Sequence, residues 1–502
     1  MNTRFSMSDP TPDGSAQPEN VILRSITLSG SSPDAIVFAL IDSFERRFWP
    51  DGSRLPSIRD FAKVRVVSRY AVVEAYDRLV AMGYLEARRG AGFFVTYGHS
   101  GRRPPDAAGP VFDRASDDPV ELTRALLQDS TGALKVGAPW LPEDWIDAQY
   151  VQTSVRAVSR RPGHLFLQPG HPLGYGPLRS QIARIAGGLD ISVEPSAILL
   201  CTGSSQAIDL ISRHLLSPGD AVLVDDPSCF HVCNYLRWFG VQLIPIPRAA
   251  NGPDIEALTT AARTHRPKAY FTQTVLQNPT GSTTAMQSLL PILTLAKECD
   301  FFIIEDDRNA DFESLPMTRL ATLDGLERVI YLRSFSTTMP GSFRVGFVIA
   351  NQSVIDDLVR IKLRLSVTSS QFSEMVLHHM LLEGQYRKFL ERLRGRINQA
   401  RIATLEQFDS IGMDLFFRPR DGHFLWARVP GCDDATELIP MAERHGVMLA
   451  TGGPFRPIPS VSPWMRFNVG HCTDPRLMAL LTEACARTNP IRPERSFDQE
   501  LI

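Results

Sequence analysis

A chain of 502 residues is too long for one hydrophobic core, so two to four domains are expected. With 43% hydrophobic and 22% charged residues its composition is that of an ordinary soluble globular protein, and no apolar run approaches the ~18 residues of a membrane span. A net charge of −2 gives no global field toward nucleic acid, so any DNA-binding face must be local. The first 22 residues are polar, rich in Pro, Ser and Asp, and lack a signal peptide's apolar stretch; residues 1–31 read as a disordered tail. Seven cysteines without a CxxC pair fit reduced thiols in a cytoplasm and offer no metal site.

From Ser32 the character changes. Ala35, Phe38, Ala39 and Phe44 recur at helical spacing, which predicts a helix over residues 33–48, broken by Pro50-Asp51-Gly52. Pro56-Ser57 suits entry into a second helix, and Ser68 caps a third from Arg69 to Met82, ended by Gly83. Residues 84–96 read as two short strands around a Gly-rich turn. Residues 99–125 carry Gly, Pro and charge without period and read as a linker, semi-rigid at Pro104-Pro105. Helices then alternate with apolar strands at 197–200, 221–224, 242–245, 269–272, 301–304, 329–332 and 345–350. That alternation predicts a mostly parallel α/β sheet with its ligand at the strands' C-terminal ends. A smaller α+β unit follows over residues 375–487, with a tail over 488–502.

Several predicted strands of the large unit end on polar groups. Thr202-Gly203-Ser204-Ser205 is a tight turn into a helix, whose free N–H groups and hydroxyls suit a phosphate. Ser334, Ser336 and Arg344 place two hydroxyls and a guanidinium on one connection, again phosphate chemistry. Asn278 follows one strand in Gln277-Asn278-Pro279-Thr280-Gly281, and Asp306 another in Glu305-Asp306-Asp307-Arg308.

Two resemblances organise these motifs. Leu55-Pro56-Ser57-x-Arg59-x-x-Ala62, Val67-Ser68-Arg69, Ala75-Tyr76-x-x-Leu79, Gly83-Tyr84-Leu85 and Gly90-x-Gly92-x-x-Val95 resemble the GntR family of winged helix-turn-helix proteins. One departure is Val66, which stands where the turn has a glycine. The resemblance implies a double-stranded operator read by Ser68, Arg69 and Tyr70 at the start of the recognition helix. Arg59 would sit on phosphate, and Arg88 and Arg89 on phosphate or minor groove. Residues 32–98 hold ten Lys+Arg against eight Asp+Glu, so placement rather than total charge carries this expectation.

The large unit resembles the fold-type I aminotransferases, whose order Gly-Ser-Ser, Asn-Pro-x-Gly, Asp, Ser-x-Ser and Arg it follows. By that resemblance Gly203, Ser204, Ser205, Ser334, Ser336 and Arg344 hold the phosphate of pyridoxal phosphate (PLP) or a derivative. Asn278 and Asp306 meet its ring, and Arg466 in Trp464-Met465-Arg466-Phe467 clamps a substrate carboxylate. The combination resembles the MocR subfamily of bacterial regulators, whose members sense PLP or an amino compound and form homodimers.

The departures fall in the catalytic set. Thr337 stands at the position of the lysine that forms the Schiff base, so no catalytic residue is expected and any PLP would be held non-covalently. Arg308 replaces a tyrosine, Cys229 the aromatic that stacks on the ring (with Phe230 one residue away), and Pro169 a tyrosine reaching across a dimer. Of the six lysines, Lys63 belongs to the DNA reader, and the pattern sets Lys135, Lys268, Lys297, Lys362 and Lys388 away from the site. The expected protein is a cytoplasmic, homodimeric DNA-binding regulator with a small-molecule effector and no transaminase activity. The alternatives are a working PLP aminotransferase and a ligand-free dimerisation scaffold.

Overall fold

The computed structural model describes residues 28, 30–45, 48–88, 90–96, 119–127, 132–382 and 384–488. The chain divides into two compact units, residues 1–111 and 112–502, which are taken separately below.

In the first unit, helices Pro33–Glu45, Ile58–Arg65 and Arg69–Ala81 precede a hairpin of β1 (Leu85–Arg88) and β2 (Gly92–Val95). The first helix stops short of the predicted residue 48. The apolar stripe drives the packing: Phe44, Trp49, Phe61, Val72, Tyr76 and Leu79 form one buried cluster closed by Val95. Ser57 and Ser68 accept the backbone N–H groups of Asp60 and Ala71, three residues into their helices, at 3.2 and 3.1 Å. Val66 ends the second helix in the left-handed region (φ 54°, ψ 46°) and is 88% exposed. A β-branched residue there is strained and nothing packs to compensate. Val66→Gly is therefore expected to stabilise this unit by about 1 kcal/mol, the strain relief exceeding glycine's extra chain entropy; denaturant unfolding of the two proteins measures it.

The second unit opens with the helix Pro119–Leu127, so the last residues of the stretch read as linker are ordered. Its main sheet contains β3 (Ile198–Cys201), β4 (Ala221–Asp226), β5 (Gln242–Ala249), β6 (Gly252–Pro253), β7 (Ala269–Thr272), β8 (Phe302–Asp306), β9 (Val329–Ser334) and β10 (Gly346–Ile349). The order is β3-β10-β9-β8-β7-β4-β5-β6. Strands β5, β4, β7, β8 and β9 run parallel, and β10 lies antiparallel between β9 and β3. Every residue of β3, β7, β9 and β10 is buried, as in a sheet covered on both faces, and two apolar clusters flank it. The register pairs Thr272 with Glu305 and Asp306 with Leu332, so β7, β8 and β9 deliver their polar ends side by side.

The boundary drawn between residues 374 and 375 falls inside the helix Gln371–Leu382. After it, the long helix Gln385–Ile411 leads to a second sheet of β11 (Asp414–Leu415), β12 (Phe424–Arg428), β13 (Ala450–Thr451) and β14 (Trp464–Asn468). Its order is β11-β12-β14-β13, and the helix Pro475–Thr488 packs behind it. The architecture is thus the expected one: a winged helix-turn-helix followed by an α/β body with a smaller α+β part. No helix among the described residues is long and apolar enough to cross a membrane.

Candidate functional site

A cavity of about 900 Å³ opens where the strand ends of the large sheet meet β12 and β14. Ser204, Ser205, Asn278, Ser334, Ser336, Arg344 and Arg466 all line it, so residues more than 260 positions apart in sequence are brought together. At one end lie the four serines and Arg344. Gly203 starts its helix at φ +73°, and a Cβ there would stand 2.8 Å from Nη2 of Arg344. Glycine is what lets the guanidinium cross the turn. Ser334 donates to Ser336 at 3.2 Å, and Ser205 is 2.9 Å from Nε2 of His231. Burial, and then Arg308 and Arg344, push His231 down to about 4, so it is neutral at physiological pH. His231 is absent from the sequence-derived site; its placement depends on the helix Phe230–Phe239 starting over the cavity.

At the other end Arg466 is fully buried. Its Nη1 donates to Oδ1 of Asn278 at 2.8 Å and its Nη2 to the Gly137 carbonyl at 2.6 Å, while Nε has no partner. The rings of Phe424, Phe455 and Phe230 surround the guanidinium at 4.7, 4.9 and 5.5 Å. Burial without an acid pulls its pKa down to about 9, which leaves it charged at neutral pH. Phe230 therefore packs on Arg466 and Phe455, and Cys229 takes the position beside Asn278 and Arg308, each 3.6 Å from its sulfur.

Asp306 differs from expectation. Its carboxylate is taken by Arg308, whose Nε donates to Oδ1 at 3.1 Å and Oδ2 at 2.9 Å and whose Nη2 closes on Oδ2. Burial opposes charge on Arg308, but Asp306 more than restores it and raises its pKa. Arg308, not Asp306, lines the cavity. Thr337 donates to the Arg308 carbonyl at 3.0 Å, fixing the turn from which that side chain departs. The residues present thus suit PLP at its phosphate end and not at its ring: the Asp306 carboxylate is engaged by Arg308, and Cys229 and Thr337 bring a thiol and a hydroxyl.

Lys135 also corrects the sequence reading, because it lines the cavity. Leu134 exchanges backbone hydrogen bonds with Gly446 and Met448, which carries the segment to the small sheet, and Nζ of Lys135 donates to the Leu126 carbonyl at 2.9 Å. The helix Pro119–Leu127 contributes Thr123, Leu126 and Leu127 to the same cavity.

In the first unit Arg59, Arg69 and Tyr70 are exposed, Tyr70 at 76%, on the two helices of the helix-turn-helix. Ser68 is committed to capping. Arg88 pairs with Glu86 at 2.8 Å and lies 4.4 Å over the Phe94 ring, while Arg89 lies outside the described residues. No His, Cys, Asp and Glu cluster suited to a metal occurs among the described residues.

Residues 143–483 match the family described as aminotransferase class I and II, and residues 35–95 match bacterial regulatory proteins of the gntR family. The chain is 30% identical over 305 residues to a 2-aminoadipate transaminase of Thermus thermophilus, covering 59% of this chain and 75% of that one. It is 28% identical over 408 residues to the probable rhizopine catabolism regulatory protein MocR of Rhizobium meliloti, covering 76% and 80%. Among solved structures, the α-aminoadipate aminotransferase LysN of Thermus thermophilus, complexed with N-(5'-phosphopyridoxyl)-L-leucine, superposes with a TM-score of 0.67 at 27% identity over 73% of this chain and 95% of that one.

Proposed function

This chain belongs to the aminotransferase class I and II family and carries a gntR-family domain ahead of it, and on that premise we propose a transcriptional regulator whose aminotransferase-like body senses a small anionic effector without transaminating. One observation carries the reading. Arg466 holds a buried charge with no acid partner in a pocket whose lysine position is Thr337. Such a charge is costly unless an anion completes it, and a threonine cannot carry the imine chemistry. Leu126 and Leu127 of the helix Pro119–Leu127 also line the pocket. We assign DNA binding to residues 32–98 and sensing to 126–374 with 375–487, in the cytoplasm.

A homodimer is part of this reading. Phe166 and Phe372 are exposed on the large body with ring centroids 6.0 Å apart, an apolar surface suited to a second copy, and paired reader domains would span two half-sites.

Binding of the full-length chain to selected duplexes tests the first half. Arg69→Ala is expected to relax base preference at one position by about 1–3 kcal/mol, whereas Arg59→Ala weakens all duplexes alike and reduces the salt slope by about 1. Unchanged preference in Arg69→Ala would remove the recognition-helix assignment. Borohydride reduction with PLP tests the second half: no pyridoxyl group is expected on Lys135, the lysine at the cavity, and no half-reaction with amino acids. A label there accompanied by turnover would establish the working aminotransferase instead.

A further inference from the structure

The Arg308–Asp306 pair bears on what the effector is. A planar guanidinium held by both oxygens of a carboxylate presents what a protonated ring nitrogen would present, a cation on the acid, with more hydrogen bonds. Arg308 supplies three such bonds from two residues away, so a pyridinium would have to displace all of them to make one. The pair is mostly withdrawn from water, at 15% and 6% side-chain exposure, where breaking it leaves two charges uncompensated. Beyond that self-neutralised pair, the cavity is lined by Arg344 and Arg466 and by the exposed carboxylate of Glu143. The excess is cationic, and Arg344 with its serines and Arg466 with Asn278 concentrate it at two ends. A phosphate monoester carries about −1.5 to −2 and a carboxylate −1, one anionic group for each cationic end. Between the two ends, Cys229 offers no ring face on which an aromatic ligand would stack.

We infer that the pocket takes an acyclic phosphate monoester bearing a carboxylate, its phosphate on Ser204, Ser205, Ser334, Ser336 and Arg344 and its carboxylate on Arg466, with Arg308 standing in the place of the pyridine ring. The inference rests on the sensor reading above and narrows its ligand.

Calorimetric titration of the full-length chain with four probes tests it: O-phospho-L-serine, glycerol 3-phosphate, inorganic phosphate and pyridoxamine 5'-phosphate, which lacks the aldehyde that would label surface lysines. O-phosphoserine is expected to bind about tenfold or more tighter than inorganic phosphate, and pyridoxamine phosphate no tighter than glycerol phosphate. Arg308→Tyr frees Asp306 and is expected to tighten pyridoxamine phosphate by about tenfold while leaving glycerol phosphate unchanged. Wild-type protein that prefers pyridoxamine phosphate to O-phosphoserine overturns this inference and leaves the sensor reading standing. Wild type that binds none of the four, while still binding DNA, overturns both. The wild-type ranking decides the matter by itself if Arg308→Tyr does not fold.

Discussion

Replacing Arg466 with methionine is expected to strip the pocket of its hold on carboxylates, at a cost of about 2–5 kcal/mol in the binding of a carboxylate-bearing ligand. The reason is geometric. Arg466 is fully buried among Phe230, Phe424 and Phe455, and its Nε has no partner in the protein. An anion reaching it meets a desolvated, oriented guanidinium, so the hydrogen bonds formed are strong and none must first be taken from water. Methionine keeps much of the volume and the apolar contact but no donor, leaving the Asn278 and Gly137 oxygens unpaired. Titration with O-phosphoserine and glycerol 3-phosphate separates the effects: the first should fall to the affinity of the second, which should hardly move. Equal losses for both ligands would mean that Arg466 supports the pocket's shape rather than a carboxylate.

Arg319→Leu is expected to destabilise the large unit by about 3–5 kcal/mol, among the largest effects of any single substitution here. Arg319 is fully buried, and its Nε donates to Oδ2 of Asp307 at 3.0 Å while Nη2 lies 2.8 Å from Oε2 of Glu313. Tyr331 donates to the same Asp307 oxygen at 2.7 Å. Leucine leaves two carboxylates without a cation where water does not reach them. The damage lies immediately beside the site, because Asp307 follows Asp306 and its N–H donates to the Leu332 carbonyl of β9. Denaturant unfolding measures the cost, and Arg319→Leu combined with Asp307→Asn should recover part of it, since one uncompensated charge is then gone. A loss below about 1 kcal/mol would show that the network is hydrated and contributes little.

Arg466 finds Asn278 and Gly137 188 and 329 positions away, whereas Arg319 and Arg308 find their aspartates 12 and 2 residues away, and that contrast marks what sequence could reach. The α/β alternation was legible because apolar runs such as Ile303-Ile304 and Ile330-Tyr331-Leu332 are local signals, and β7 coincides with its predicted span. The winged helix-turn-helix was legible for the same reason: Ser57 and Ser68 act within three residues of themselves. Strand-end polar residues converge in a parallel sheet, and the aminotransferase resemblance implied one pocket for Asn278, Ser334 and Arg344.

What tertiary structure decided is which of those groups remains available. The aminotransferase resemblance marked Arg308 as a departure two residues from Asp306, yet only the turn fixed by Thr337 closes it onto that carboxylate. Lys135 and Leu126 reach the cavity through the pairing of Leu134 with the segment at Val447, and His231 through a helix start, none of which has a local signature. Val66 was visible as a missing glycine, but its left-handed backbone became a cost only once the second helix had an end to place it in. Sequence determines which side chains are offered at each strand end and cap, because those patterns repeat over a few residues. Which carboxylate is already paired is set by how one turn closes, and which buried cation is left for a ligand by contacts between segments hundreds of residues apart, and no periodicity reports either.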